Sequence, residues 1–472
     1  MIVYQVLARL FGSGRFSAFD SRSLGFLKDL GITHIWYTGV LRHSSGKDYV
    51  KGNIGSPYSI TDYYDVNPYL ANNEEDRMAE FERLINRTHK AGMKVILDLI
   101  PNHVSPDYSD SHGGIPTLGR HDYDWTDTDK IDYSDRRSWD ALENIVSYWC
   151  SKGVDGFRCD MVELVPVRFF SEMITRTRKD YPGTVFIGEC YDFANYATYL
   201  NQGHFDYLYD KSGMYDTLRG VVAGDRPASD ITANWQKLGP LQGRMLNFLE
   251  NHDEQRIASQ QFLGNAIKAL PSLVVSTTMS KGPFLIYSGQ EFGEKATDTE
   301  GFSGKDGRTT IFDYWSVPSI RRWYNGGKCD GKNLNDEEHK IYNVYKCVLN
   351  LINREDAIVK GDFFDLMYVN YNNPDFNPHR HYCYIRKHKH EVVLAIVNFS
   401  DCESRILVNI PKHAFDTLNM QPGNYRAVDL LSGKKHSIPF SESVPLAVNL
   451  GAYGALLLKF IVEPSITDKK SV

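Results

Sequence analysis

The 472 residues hold no apolar run near the roughly 20 residues needed to span a bilayer; stretches such as VVLAIV (392–397) are far shorter. A membrane partner is therefore not expected. Cysteine is sparse: Cys150, Cys159, Cys190, Cys329, Cys347, Cys383 and Cys402 form no C-x-x-C pair and no even framework. They read as reduced thiols, which points to the cytoplasm. The opening MIVYQVLARLF lacks the basic stretch, long apolar region and small-residue cleavage site of a secretory leader, and reads as a first strand. Positive charge is not in excess, since 53 Lys and Arg face 59 Asp and Glu for a net charge of −6, and no basic stripe is present. Nucleic acid is excluded as a partner on that ground. Neither an H-E-x-x-H motif nor a clustered His set occurs, which excludes a metal-dependent hydrolase built on those ligands.

What is present is an alternation of short β-rich runs with longer amphipathic stretches, the pattern of parallel βα units. Eight runs read as strands: 2–7, 34–39, 94–99, 154–159, 185–189, 205–210, 244–250 and 284–289. Eight closes a (β/α)8 TIM barrel. Asn73 opens a helix, NEEDRMAEFERLINRTHKAG, with acids first, bases last and Gly92 as its stop. Residues 104–135 are polar, aperiodic and too long for an ordinary βα loop, so they read as a short inserted subdomain after strand three. Within them TDTDKID (126–132) reads as solvated surface. From 356 to 463 short alternating strands without intervening helices predict a C-terminal antiparallel β-sandwich, and 464–472 a loose tail. The barrel is thereby assigned to 1–103 and 136–355.

Four strand ends carry acids, and in such a barrel those ends surround the active site. They are DLIPNH with Asp98, Asn102 and His103; GFRCD with Arg158 and Asp160; IGE with Glu189; and ENHD with His252 and Asp253. Side chains alternate along a strand, so Arg158 and Asp160 share a direction, and the cation is expected to keep Asp160 ionised as a nucleophile. Glu189 ends an apolar strand, where burial and neighbouring acids favour a proton-holding carboxyl. Carboxyls on adjacent strands can stand about 5–5.5 Å apart, the spacing of a retaining glycosidase.

These four motifs, in this order, resemble the signature regions of glycoside hydrolase family thirteen, the α-amylase family. GSPYSITDYYDVNP (55–68) and GPFLIYSGQEFG (282–293) are similar to its pre-helix loop and eighth strand. The resemblance covers 1–355 and implies cleavage of α-glucosidic bonds in maltodextrins, starch or glycogen-type glucans. It implies Asp160 as nucleophile, Glu189 as acid/base and Asp253 as the carboxylate gripping sugar hydroxyls. Arg158 would orient Asp160, His103 and His252 would bond the sugar, Tyr58 would lie beneath it, and Asp98 would brace the site. Many members hold a structural calcium through the Asn102 position and a His four residues after the nucleophile. Here that position is Leu164, preceded by Glu163 where many α-amylases have Lys-His. The sequence therefore requires no cofactor, leaves calcium as an open alternative, and implies an altered leaving-group side. Two other readings are a transglycosylase or isomerase, with acceptor subsites built by 104–135 and 293–310, and a non-catalytic homologue. The retained Asp160, Glu189 and Asp253 argue against the last.

Overall fold

A computed structural model describes residues 1–297, 305–313 and 317–462; the expected tail and residues 298–304 of the 293–310 loop lie outside the described residues. Eight parallel strands close into a barrel: β1 (Ile2–Leu7), β2 (His34–Thr38), β3 (Lys94–Leu99), β4 (Gly156–Cys159), β5 (Val185–Gly188), β6 (Tyr207–Tyr209), β7 (Met245–Phe248) and β8 (Phe284–Tyr287). Each lies within one of the eight runs read from the sequence. The runs overshoot mainly at their ends, where Glu189 and Glu250 have left the ladder for the βα loops. Strands buried on both faces need no polar alternation, which is why they appear as continuous apolar runs.

Glycine sets one approach that matters to function. A Cβ on Gly188 would stand 2.7 Å from the Leu208 side chain, so a larger residue directly before Glu189 would push that side chain aside where β5 and β6 lie together. The helix expected from Asn73 starts as a 3₁₀ turn (Glu74–Asp76) and continues as Arg77–Lys90, with Gly92 at φ +75°. Glu80 closes its entry by accepting from the backbone N–H groups of Asn72 and Asn73, each at 2.9 Å.

In the insertion, His103–Val104 pairs antiparallel with Asp129–Lys130, and Thr117 bridges to Ile131. This pairing corrects the reading of TDTDKID as solvated surface. Asp127, Thr128 and Ile131 are buried, because the ladder turns that stretch inward.

The chain divides into two compact units: Met1–Lys211, Arg244–Gly264 and Pro283–Tyr342 form one, which contains all eight barrel strands. The other joins Ser212–Gly243, Asn265–Gly282 and Asn343–Val472. Its main sheet has six antiparallel strands: β9 (Asp362–Asp365), β10 (His381–His388), β11 (Glu391–Asn398), β13 (Gly423–Asp429), β14 (Lys435–Phe440) and β16 (Ala455–Ile461), ordered β9-β10-β11-β16-β13-β14. A separate pair is formed by β12 (Ser404–Val408) and β15 (Leu446–Leu450).

Buried polar groups tie this second unit's helices to its sheet. Asp365 Oδ2 accepts from Thr232, Trp235 and Tyr382 at 2.6, 2.6 and 2.8 Å. The Arg386 guanidinium donates to the carbonyls of Met279, Ile358 and Gly361. Short helices at Met367–Asn370 and Lys412–Thr417 depart from the helix-free expectation, since one turn or so is too short for a helical period to register.

Candidate active site

Tyr58, His103, Asp160, Glu189, His252 and Asp253 all face one cavity of about 550 Å³ at the C-terminal ends of the strands. Arg158 stands behind it, with only 1% of its side chain exposed. Its Nη1 donates to Asp160 Oδ1 at 2.5 Å, and its Nη2 lies 2.6 Å from Glu189 Oε1 as an ion-pair contact without hydrogen-bond alignment. One guanidinium thus holds both carboxyls, one on each of its terminal nitrogens, at the same cavity.

The rings of Trp36, Tyr58 and Tyr209 surround that guanidinium with centroids at 5.1, 5.6 and 5.4 Å. Trp36 Nε1 donates to Asp98 Oδ2 at 3.0 Å, and Asp98 Oδ1 is 3.8 Å from Arg158. Asp98 contacts the Trp36 and Arg158 side of the network and does not line the cavity. Burial pushes its carboxyl up to about 7, against the opposing charge of Arg158.

Burial is also the largest influence on the two central acids. Glu189 is pushed well up by desolvation and by the charge of Asp160, with Arg158, Met161 N–H and Tyr191 pulling the other way. Asp160 is raised too, by desolvation. Arg158 opposes the rise through both its charge and its hydrogen bond. Asp253 is raised by burial and then by Glu189, although a third of its side chain remains open to the cavity.

His252 is pinned from both sides: the Gln5 amide lies 2.7 Å from Nδ1, and the Tyr58 hydroxyl 2.6 Å from Nε2. With the amide nitrogen as donor, Nδ1 accepts and Nε2 carries the proton toward Tyr58 and Asp253 Oδ2, the latter 3.2 Å away. Burial holds His252 well below its ordinary pKa and lowers His103 to about 4, so both rings are neutral donors at neutral pH. Tyr58 stacks on His252 at 5.2 Å and 15°.

Asn102 Nδ2 donates to Asp122 Oδ2 at 3.0 Å, and Lys130 Nζ contacts both Asp122 oxygens at 3.0 and 2.7 Å. The carboxylate nearest Asn102 is thus already neutralised by an ammonium, and Leu164 brings no polar side chain. Among the described residues no group of three or more His, Cys, Asp or Glu side chains could hold a metal ion. A calcium ion needs six to eight oxygens, and the Asn102 side chain offers one, Oδ1, which is buried without a hydrogen-bond partner.

Several contributors were not legible in the sequence. Tyr191 donates to Glu189 Oε1 at 2.9 Å, and Trp125, Asp127, Arg308 and Phe312 line the cavity from segments 104–135 and 305–313. A fully buried pair, Arg256 and Glu250 at 3.0 Å, braces the latter segment, with Arg256 Nε donating to Thr309 and its backbone N–H to Gly307. Glu250 directly precedes the NHD of the fourth motif, and its position in that run was the only available signal.

A family model described as the α-amylase catalytic domain matches residues 21–125 and 120–343. α-Amylase MalA of Haloarcula japonica is 28% identical over 319 residues, covering 62% of this chain but 44% of that protein, so the match spans less than half of that relative's length. α-Amylase 3 of Dictyoglomus thermophilum is 24% identical over 389 residues, covering 72% of this chain and 73% of the relative. In fold, the chain is similar to the maltogenic α-amylase AmyB of Thermotoga neapolitana, with a TM-score of 0.76 and 22% identity over 98% of this chain and 99% of that one. The match over most of the barrel sequence, together with the four motifs converging on one cavity, leads to one conclusion: this chain belongs to the α-amylase family.

Proposed function

We propose that the chain is a retaining glycoside hydrolase that cleaves α-glucosidic bonds of maltodextrins, starch or glycogen-type glucans by double displacement. The observation that carries this reading is the Asp160 and Glu189 pair, lining one cavity and held at 2.5 and 2.6 Å by the two arms of Arg158.

In the first step an Asp160 carboxylate oxygen bonds the anomeric carbon while the glycosidic C–O bond breaks and Glu189 gives its proton to the departing oxygen. In the second, the Glu189 carboxylate takes a proton from water, whose oxygen displaces Asp160 and regenerates both groups. Two inversions restore the α-configuration. Asp253, with its partly open carboxylate, accepts from sugar hydroxyls, and the neutral His103 and His252 rings line the same cavity beside it. Tyr58 offers its ring as a floor. The lining contributed by Trp125 and Phe312 supports acceptor or leaving-group subsites on those two segments.

No cofactor enters this chemistry, and the Lys130–Asp122–Asn102 contacts support an insertion held without calcium. Seven free thiols support a reducing, cytoplasmic setting. No helix among the described residues is long and apolar enough to cross a membrane.

Three outcomes follow for experiment. Wild type acting on maltooligosaccharides should release α-anomers by NMR, and Asp160→Asn should lose about three or more orders of magnitude in rate; initial β-anomers would rule out retention. EDTA should leave both rate and melting temperature unchanged, while Lys130→Met lowers the melting temperature by about 2–4 °C; a calcium-reversible loss on EDTA treatment would overturn this part. The third concerns Asp253, whose raised pKa means that folding disfavours its charged form. The stability tied to its protonated form is present below the unfolded value of about 3.9 and is lost as pH rises through the folded value. Asp253→Asn should therefore melt higher than wild type, by a margin that grows from pH 4 to pH 8, while hydrolysis drops about 100-fold or more. A margin independent of pH would contradict the assignment of the strain to this carboxyl.

A further inference from the structure

The turn after β5 is tied across the strand boundary by a side chain that no signature motif contains. Glu163 sits three residues beyond Asp160, in the short turn Val162–Leu164. Its carboxylate accepts from the backbone N–H groups of Tyr191 (2.8 Å) and Asp192 (2.9 Å) and from Asn195 Nδ2 (3.0 Å). The same two turns are joined again by Met161 N–H donating to Glu189 Oε2 (3.0 Å) and Val162 N–H donating to the Glu189 carbonyl (3.1 Å). Met161 adopts φ +42°, a strained conformation for a non-glycine residue, which these contacts hold in place. Asp192 then caps the following helix, Phe193–Asn201, by accepting from Ala194 N–H.

The result is that Tyr191 reaches back over the cavity and its hydroxyl donates to Glu189 Oε1 at 2.9 Å. We propose that Tyr191, held by Glu163, is a positioning residue for the acid/base: its hydroxyl fixes the Glu189 side chain and stays bonded to it through both protonation states of the reaction. This rests on the glycosidase reading above and deepens it at the leaving-group side.

Hydrogen-bond capacity sets what each partner of Glu189 can do. Double displacement needs Glu189 first as an acid and then as a base. Met161 N–H donates to Oε2 and the Tyr191 hydroxyl to Oε1. An oxygen of a neutral carboxyl still accepts, so Tyr191 can donate to Oε1 in both states and leave the proton of the acid for the departing oxygen. Burial keeps the phenol itself protonated, well above its ordinary range, so it remains neutral throughout. The charged and titratable groups facing Glu189 are Arg158 and Asp160 from β4 and its end, Asp98 from β3, Tyr209 from β6, Asp253 after β7, and Tyr191. Of these, Tyr191 is held in place by Glu163, and its hydroxyl can be removed with least disturbance to the charges.

The test is the pH dependence of kcat/KM for maltotriose hydrolysis, whose basic limb reports the acid form of Glu189. Tyr191→Phe removes only the hydroxyl, and with it a bond that favours the carboxylate. The limb is expected to move up by about half a unit or more, with folding verified by an unchanged circular dichroism spectrum. Glu163→Ala should move it in the same direction, and the double variant should move it no further than Tyr191→Phe alone. An active wild type whose limb stays in place in Tyr191→Phe overturns this inference and leaves the glycosidase reading intact. Additive shifts in the double variant overturn the dependence of Tyr191 on Glu163. A wild type without glucan hydrolysis overturns both readings together.

Discussion

The Arg158 guanidinium is buried beneath the cavity floor, and the acids of the site are arranged around it. Removing a guanidinium from water is unfavourable unless carboxylates and donor-hungry surfaces replace the lost solvent. Here the replacement is divided between Asp160 and Glu189 at the front, Asp98 more distantly behind, and three aromatic faces at the sides. The same cation therefore holds Asp160 and Glu189 and limits how far burial can push both toward neutrality.

This arrangement trades stability for chemistry. Asp98, Glu189 and Asp253 are all raised by desolvation, so each opposes folding at neutral pH in its charged form. The compensation lies in the surrounding rigid contacts: the apolar strands of the barrel, the buried Glu250–Arg256 pair, and the cross-linked turns after β4 and β5. Arg256 also stacks its guanidinium 3.9 Å from the Tyr287 ring centroid, so the segment carrying Arg308 into the cavity is held by a second buried cation.

The barrel and the gathering of Asp160, Glu189 and Asp253 at one cavity were legible because they obey local rules. Strand periodicity put Arg158 and Asp160 on one side, and strand ends are where such a barrel gathers function. A neighbouring Arg is visible in the sequence, but the depth of burial that raises Asp160 against it is not. Tyr191 and Lys130 were missed for another reason. Each acts through a contact set by turn geometry: Glu163 to the backbone N–H of Tyr191, and a two-residue ladder that brings Lys130 near Asn102. Residue type alone marked neither. The change from Lys-His to Glu163-Leu164 was noticed as a departure in specificity, and its structural meaning, a carboxylate that accepts from the next strand's turn, emerged only with the fold.

The most direct test of the central claim, that Asp160 forms a covalent bond to the sugar, is trapping with 5-fluoro-α-glucosyl fluoride or its maltosyl homologue, followed by peptide mass mapping. Loss of fluoride with formation of a C1–oxygen ester predicts one glycosyl adduct on the peptide containing Asp160 and none in Asp160→Asn. An adduct on Glu189, or turnover of the reagent with inverted configuration and no adduct, would contradict the account.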